Sequence, residues 1–187
     1  MKTPLFKIQI LISLAMALAA CLALPASVFS QEPGTVVYIN PAETTLEVGQ
    51  ETTIAVSVRD VQDLYGYALR ITFPPGSIEI LDVVNGEFLS DGLMAPTNGW
   101  NNTTGEILFD MSMMGEPEGR DGSGDLIRIT LRATTPGATV AFTIDPVYSQ
   151  LVNWPAVMPI PFEIENGVVI INPINTLLSI FIPVIIK

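Results

Sequence analysis

The chain of 187 residues contains no histidine, a single cysteine (Cys21) and only 8 lysines and arginines against 19 aspartates and glutamates. Without histidine there is no Ser–His or Cys–His nucleophile pair, and the commonest transition-metal ligand is missing, so hydrolysis by a triad is excluded. With one cysteine no intramolecular disulfide forms, and a domain built from this chain must be held by its core. The formal charge of −11 sets the chain against nucleic acid and anionic membrane surfaces. Long Ala/Glu/Lys/Leu stretches are also absent, whereas Leu, Ile, Val, Thr, Gly and Pro are plentiful, which favours strands and turns.

Lys2 and Lys7 precede an apolar run from Ile8 to Leu24, and Val28-Phe29-Ser30 before Gln31 suits a cleavage site. Residues 1–30 therefore read as a signal peptide and the protein as exported, extracellular or at the cell surface. A second reading shares this segment: Leu18-Ala19-Ala20-Cys21 fits a lipoprotein box, in which Cys21 is lipidated and becomes the mature N-terminus, although Leu22-Ala23-Leu24 continues apolar where such leaders turn polar. Cleavage after Ser30 removes both leader lysines and leaves 6 basic against 19 acidic residues, a formal charge of −13. Such acidity keeps an exported protein soluble. Residues 31–35 form a short spacer. At the other end, in the tail 173–187, Leu177 to Ile186 is apolar but spans half of the roughly 20 residues that a membrane helix needs, and Pro183 interrupts it. An edge strand, a sorting tag and an adhesive tail all fit it.

Between these ends the chain breaks into short runs with a period of two. Tyr67, Leu69, Ile71 and Phe73 alternate with Ala68, Arg70 and Thr72, which sends four large side chains inward and the small or charged ones outward. Pro74-Pro75-Gly76 stops that ladder, since neither proline donates a hydrogen bond. Ile54, Val56 and Val58 mark one face of a half-buried strand from Glu51 to Arg59. Asp60 to Tyr65 reads as a connection, and Ile78 to Val84 as a strand. Glu106 to Met114 is a strand with Ile107, Phe109, Met111 and Met113 inward, and Gly115 to Gly124 reads as an acidic, glycine-rich loop. Asp125 to Ala133, Thr139 to Asp145 and Pro161 to Asn172 supply three more strands. About nine short strands in one domain over 36–172, with no credible helix, predict an all-β antiparallel sandwich of jelly-roll type.

Few positions could carry chemistry. Glu106 and Asp110 are candidates for a glycosidase carboxylate pair, but the chain lacks long loops to build a cleft around them, and the reading is non-enzymatic. Asp121-Gly122-Ser123-Gly124-Asp125 begins like a calcium loop, yet Arg132 stands where the bidentate glutamate belongs and a strand pattern follows. A looser site drawing on Glu116, Glu118, Asp121 or Asp125 competes with a plain solvated turn, and no cofactor is assigned. Trp100 and Trp154, with Tyr65 and Tyr148, could stack on sugar rings, against the alternative of partial burial at sandwich edges.

The order of motifs carries a family resemblance. VYINPAETTLEVGQETTIAVSVRDVQDLYGYALRITFPPGSIEILDVVNGEFLS, then GEILFDMSMMG, GSGDLIRITLRATTPGATVAFTI and ENGVVIIN, resembles a cohesin domain, the receptor module of cellulosome-type scaffolds, over roughly residues 36 to 172. The turn at Val48-Gly49-Gln50, the stretch Leu64 to Phe73, Gly86-Glu87-Phe88-Leu89, Ser123-Gly124-Asp125-Leu126 and the hairpin Pro136-Gly137-Ala138-Thr139 match best. Pro74 departs from the family pattern, replacing the usual acidic residue. The resemblance implies a monomeric jelly-roll module, related in fold to cellulose-binding modules, that docks a dockerin-bearing protein on the outer face of one sheet in polysaccharide catabolism or cell-surface assembly. The calcium then belongs to the dockerin. Carried onto this chain, the docking face comprises Ala68, Arg70, Thr72, Asn98, Trp100, Leu108, Asp110, Ser112, Ala141 and Thr143. Leu108, apolar on the outward side, is its most telling member, though a lone surface leucine is also ordinary. The rival reading is a carbohydrate-binding module using Trp100 and Trp154, and a further one is a structural or adhesive surface protein.

Overall fold

The structure, a computed structural model, describes residues 34–90, 93–94, 98–115 and 118–173. The expected leader with Cys21, most of the spacer, Glu116 and the tail from 174 lie outside these residues. The chain forms strands β1 (Val36–Asn40), β2 (Glu43–Leu46), β3 (Glu51–Leu64), β4 (Gly66–Thr72), β5 (Ile78–Asn85), β6 (Leu93–Met94), β7 (Gly99–Asn101), β8 (Glu106–Ser112), β9 (Arg120–Ala133), β10 (Thr139–Ile144), β11 (Gln150–Val152), β12 (Glu163–Glu165) and β13 (Gly167–Ile171). Among the described residues there is no helix at all, so none is long and apolar enough to cross a membrane.

The strands make two sheets packed as a jelly-roll sandwich. The first runs β12-β1-β3-β9-β5 and the second β2-β13-β10-β4-β8-β6, with β11 also on β4 and β7 also on β8. Pairing is antiparallel except for β1 with β12 and β13 with β2, which are parallel. More segments appear than the nine expected because long runs are split. Pro161–Asn172 divides into β12 and β13, which join different sheets, and β11 continues the line of β10 along β4.

The alternation read from the sequence sets the two inner faces. Tyr67, Leu69 and Ile71 on β4, Ile107, Phe109 and Met111 on β8, Ile54, Val56 and Val58 on β3, and Ile127, Ile129 and Leu131 on β9 are all buried in one apolar cluster. At about 1.5–3 kcal/mol for each fully buried large side chain, this cluster is the main driving force for folding. Phe73 stacks on Phe142 across the sheet at 5.6 Å.

Two expectations need correcting. Asp60–Leu64 and Arg120–Gly124 are not loops: β3 and β9 pair through them, with Val58 opposite Gly124, Val61 opposite Gly122 and Leu64 opposite Arg120, across two register shifts. Asp60 and Asp63 take φ of 55° and 56° at these irregularities, and bulging lets polar residues sit in a ladder without breaking it. β3 is also buried on both sides. Ala55 and Ser57, on the side a half-buried strand would turn to water, are 6% and 1% exposed; they stand opposite Arg128 and Tyr38, and the Ser57 hydroxyl donates to Asp125.

Candidate functional site

The two outer faces differ in kind. On the first sheet, Arg59 pairs with Glu165, Arg128 with Glu87 and Asp125, and Arg132 with Glu51 and Glu79. This is a solvated face laced with ion pairs, each of which adds little stability. The second sheet offers Ala68, Arg70 and Thr72 on β4, Leu108, Asp110 and Ser112 on β8, and Ala141 and Thr143 on β10.

Register brings most of the expected face together. Ala68 stands opposite Asp110, Arg70 opposite Leu108 and Thr72 opposite Glu106, while Thr143 stands opposite Thr72 on the other side. Directly opposed residues share a face, so these side chains form one continuous surface. Leu108 is 42% exposed at its middle. Ala141 lies toward the Pro74 end, where β10 has already parted from β4.

Arg70 is held in place. Its guanidinium forms an ion pair of 2.6 Å with Glu106 and lies 4.5 Å from the ring centre of Tyr148. The loop bearing Tyr148 is itself fastened: the Val147 and Tyr148 amides donate to Asp145 Oδ1, the Arg70 amide donates to Ser149 Oγ at 3.1 Å, and the Asp145 amide donates to the Arg70 carbonyl. Val147 and Tyr148 therefore rise from the face as an exposed ridge between β10 and β11. The sequence offers Tyr148 as a sugar-stacking aromatic or an edge residue, not as the partner of Arg70. Its position over Arg70 depends on β11 resuming the line of β10 along β4 after the break at Asp145-Pro146.

Two expected members stand elsewhere. Asn98 points along the sheet: its Nδ2 donates to the Asp110 carbonyl at 2.8 Å, and its Oδ1 accepts from the Asp110 amide at 2.7 Å. Trp100 pairs with Ile107, an inward residue, so its side chain is on the inner side of β7. There its Nε1 donates to the Ile80 carbonyl of the other sheet at 3.0 Å. The outward residues of β7 are Gly99 and Asn101, opposite Leu108 and Glu106.

Trp154 is half-buried and stacks on Tyr65 with 4.7 Å between ring centres. It follows β11, whose Val152 is paired with Gly66, whereas Trp100 lies level with Ile71. Five strand residues separate these levels, about 17 Å. The two tryptophans share no platform. Glu106 and Asp110 are four residues apart on β8, about 13 Å between Cα atoms, and the Glu106 carboxylate is engaged by Arg70.

The acidic segment is knitted into the β3–β9 ladder. Asp121 Oδ1 accepts from the Asp63 amide at 2.7 Å, Asp63 Oδ1 accepts from the Gly119 amide at 3.0 Å, and Asp125 accepts from the buried Ser57 hydroxyl at 2.7 Å. Among the described residues no group of three or more cysteines or carboxylates is gathered to hold a metal ion.

These features define an all-β sandwich module with one face laced by several ion pairs and one on which an exposed leucine stands among small and hydroxyl side chains, a single Arg70–Glu106 pair and Asp110. Solved structures place this sandwich more closely. A non-cellulosomal cohesin from the hyperthermophilic archaeon Archaeoglobus fulgidus superposes with a TM-score of 0.61 at 17% identity, covering 74% of this chain and 91% of that one. A chain of the Coh-OlpC–Doc435 complex, described as a novel type I cohesin–dockerin complex from Clostridium thermocellum, gives 0.64 at 15% identity, covering 76% and 96%. A type II cohesin domain from the cellulosome of Acetivibrio cellulolyticus gives 0.63 at 12%, covering 73% and 95%. The sequence matches no family model and no curated protein significantly. The protein has the cohesin fold.

Proposed function

We propose that this protein is an exported, non-enzymatic docking module that receives a dockerin-bearing partner on the outer face of β10, β4 and β8, in polysaccharide breakdown or cell-surface assembly. The observation that carries the reading is Leu108, exposed at the middle of its face between Gly99 and Arg70, where one ion pair, Arg70 with Glu106, is held, whereas three arginines lace the other face with ion pairs. An apolar side chain at the centre of a pre-formed, nearly flat surface is what a protein interface needs at its core. The solved neighbours with this fold include chains from cohesin–dockerin complexes, which supports the partner class. Calcium would sit on the dockerin.

The test is titration calorimetry of the purified protein against a panel of calcium-loaded dockerin modules, with and without chelator. Binding of at least one module, lost on chelation and lost in Leu108→Asp, supports the proposal. Absence of binding across the panel overturns it. Carbohydrate binding through the tryptophans has less support: Trp100 is 38% exposed but its indole N–H is tied to Ile80, Trp154 stacks on Tyr65, and the two share no platform.

A further inference from the structure

Gly124 is not among the left-handed glycines, yet a β-carbon on it would stand 2.9 Å from Phe88 Cδ2 and 3.2 Å from Phe88 Cβ. Glycine at this point lets the Phe88 side chain lie across β9. The turn that carries Phe88 is tied down, since the Gly86 amide donates to the Leu126 carbonyl at 2.8 Å and the Phe88 amide to the Asp125 carbonyl at 3.1 Å. Beside the ring, on the outer face of the first sheet, is a depression of about 380 Å³ lined by Glu87, Phe88, Ser123, Gly124, Asp125 and Arg128. That size lies within the range of about 300–1,000 Å³ of small-molecule sites.

The polar lining is assembled before any ligand arrives. Arg128 Nε meets Asp125 Oδ2 at 3.1 Å and its Nη1 meets Glu87 Oε1 at 3.2 Å, while Asp125 Oδ1 accepts from the Ser57 hydroxyl at 2.7 Å. These contacts fix the guanidinium and leave capacity over. Arg128 Nη2, Glu87 Oε2 and the proton of the Ser123 hydroxyl, whose oxygen accepts from the Asp60 amide, have no partner among the described residues. Such a lining sorts ligands by charge. Two carboxylates in a chain of formal charge −11 repel an anion, and the guanidinium between them repels a cation. A wholly apolar occupant would strip water from three charged groups without replacing its hydrogen bonds. What remains is a neutral molecule with an apolar face for Phe88 and hydroxyls that both donate and accept, which is the character of a pyranose ring.

We propose that this depression binds a neutral sugar residue of a polysaccharide, with the C–H face of the ring on Phe88 and neighbouring hydroxyls on Arg128 Nη2 and Glu87 Oε2. Arg128 suits this task because its planar fork is held by two carboxylates and still offers donors. Neither Trp100 nor Trp154 lines the site. It lies on the outer face away from Leu108, so it does not rest on the docking reading and leaves that surface free.

The test is a nuclear magnetic resonance titration of the purified protein with cellotetraose, xylotetraose and mannotetraose as neutral probes and trigalacturonate as the charged control. At least one neutral probe should give saturable shifts centred on the Phe88 and Gly124 amides and the Arg128 Nε–H, and trigalacturonate should give none there. Phe88→Leu keeps an apolar side chain on Gly124 but has no aromatic face, and should weaken that binding about fivefold. Arg128→Lys has no planar fork and should weaken it about tenfold. Glu87→Ala, at an exposed side chain whose loss leaves the fold intact, should weaken it as well. Leu108→Asp should bind the sugar as wild type does, whatever it does to a dockerin. Three results overturn the proposal: no saturable shift with any neutral probe, shifts centred on Trp100 or Trp154 instead, or Phe88→Leu, Arg128→Lys and Glu87→Ala all binding like wild type. Preference for trigalacturonate would mark an anion site and overturn it too.

Discussion

The side-chain amide of Asn98 hydrogen-bonds both the amide and the carbonyl of Asp110, in the way a neighbouring strand would. On that edge of β8, the backbone of β6 pairs at Ser112 and Met111, and β7 pairs from Leu108 to Glu106. Asn98 supplies the ladder at the position between them. Asn102 does the same for the other sheet, accepting from the Ile80 amide at 2.8 Å and donating to its carbonyl at 3.0 Å. The hairpin of β7 and β8 is thereby stitched to both layers. Asn98→Ala removes two partly buried hydrogen bonds and should cost about 1–3 kcal/mol, read as a fall in the denaturation midpoint. Hydrogen exchange at the Asp110 amide should rise even under conditions where the core stays protected. An unchanged exchange rate would show that another group covers Asp110.

Tyr67 gives the fold a dependence on alkaline pH. Its ring is buried, and its hydroxyl donates to the Leu126 carbonyl at 2.7 Å, with Asn85 Oδ1 at 3.1 Å. Burial first, and the nearby Asp110 carboxylate second, push its pKa above the ordinary tyrosine value. A group whose folded pKa is raised holds its proton longer in the native state, so its contribution is whole below the unfolded value near 10 and is lost as pH rises above it. Stability should therefore fall above about pH 10. Tyr67→Phe should be less stable at neutral pH, by about 1 kcal/mol, and should show a shallower alkaline fall. Denaturant melts at pH 8 and pH 11 compare the two slopes, and parallel slopes would rule Tyr67 out as the cause.

Where alternation was long and clean, as over Tyr67–Phe73 and Ile107–Met113, the sequence specified burial residue by residue, because a period of two leaves no choice of face. Asp60–Leu64 and Arg120–Gly124 were misread since bulges break the period, and Asp and Gly there look like loop residues. The outward set of side chains was legible on β4 and β8 but not on β7. Three residues are too few to fix parity, and only the pairing of Gly99 with Leu108 reveals that Trp100 points inward. Tyr148 reaches Arg70 because β11 resumes the line of β10 along β4, a tertiary fact that the end of the strand pattern at Asp145 does not reveal.

Gly105 and Gly99 lie near opposite ends of one hairpin turn and should answer substitution in opposite ways. Gly105 has φ of 70°, and a β-carbon there would lie 1.9 Å from the Phe73 carbonyl oxygen. Its own carbonyl accepts from the Phe73 amide, which ties the hairpin to the corner before Pro74. Gly105→Ala meets both the left-handed strain and a backbone clash, and should cost about 2–4 kcal/mol. Gly99→Ala meets neither and should change stability by less than about 0.5 kcal/mol. Thermal melts of the two variants decide the matter. Equal losses would mean that the outward side of β7 is not open.

Leu108 and Val84 make an internal control for the choice of face. Both are apolar and comparably exposed, at 42% and 45%, but Val84 stands opposite Arg128 on the ion-paired face, whereas Leu108 stands between Arg70 and Gly99. Exposed substitutions away from special features leave stability nearly unchanged, so Leu108→Asp and Val84→Asp should both fold and melt close to wild type. Binding should separate them. An aspartate at the centre of an apolar contact loses the burial of the leucine and leaves a desolvated charge beside Asp110, which together should weaken a dockerin by 2 kcal/mol or more, roughly thirtyfold. Val84→Asp should bind as wild type. The reverse result, with Val84→Asp defective and Leu108→Asp normal, would move the docking surface to the first sheet.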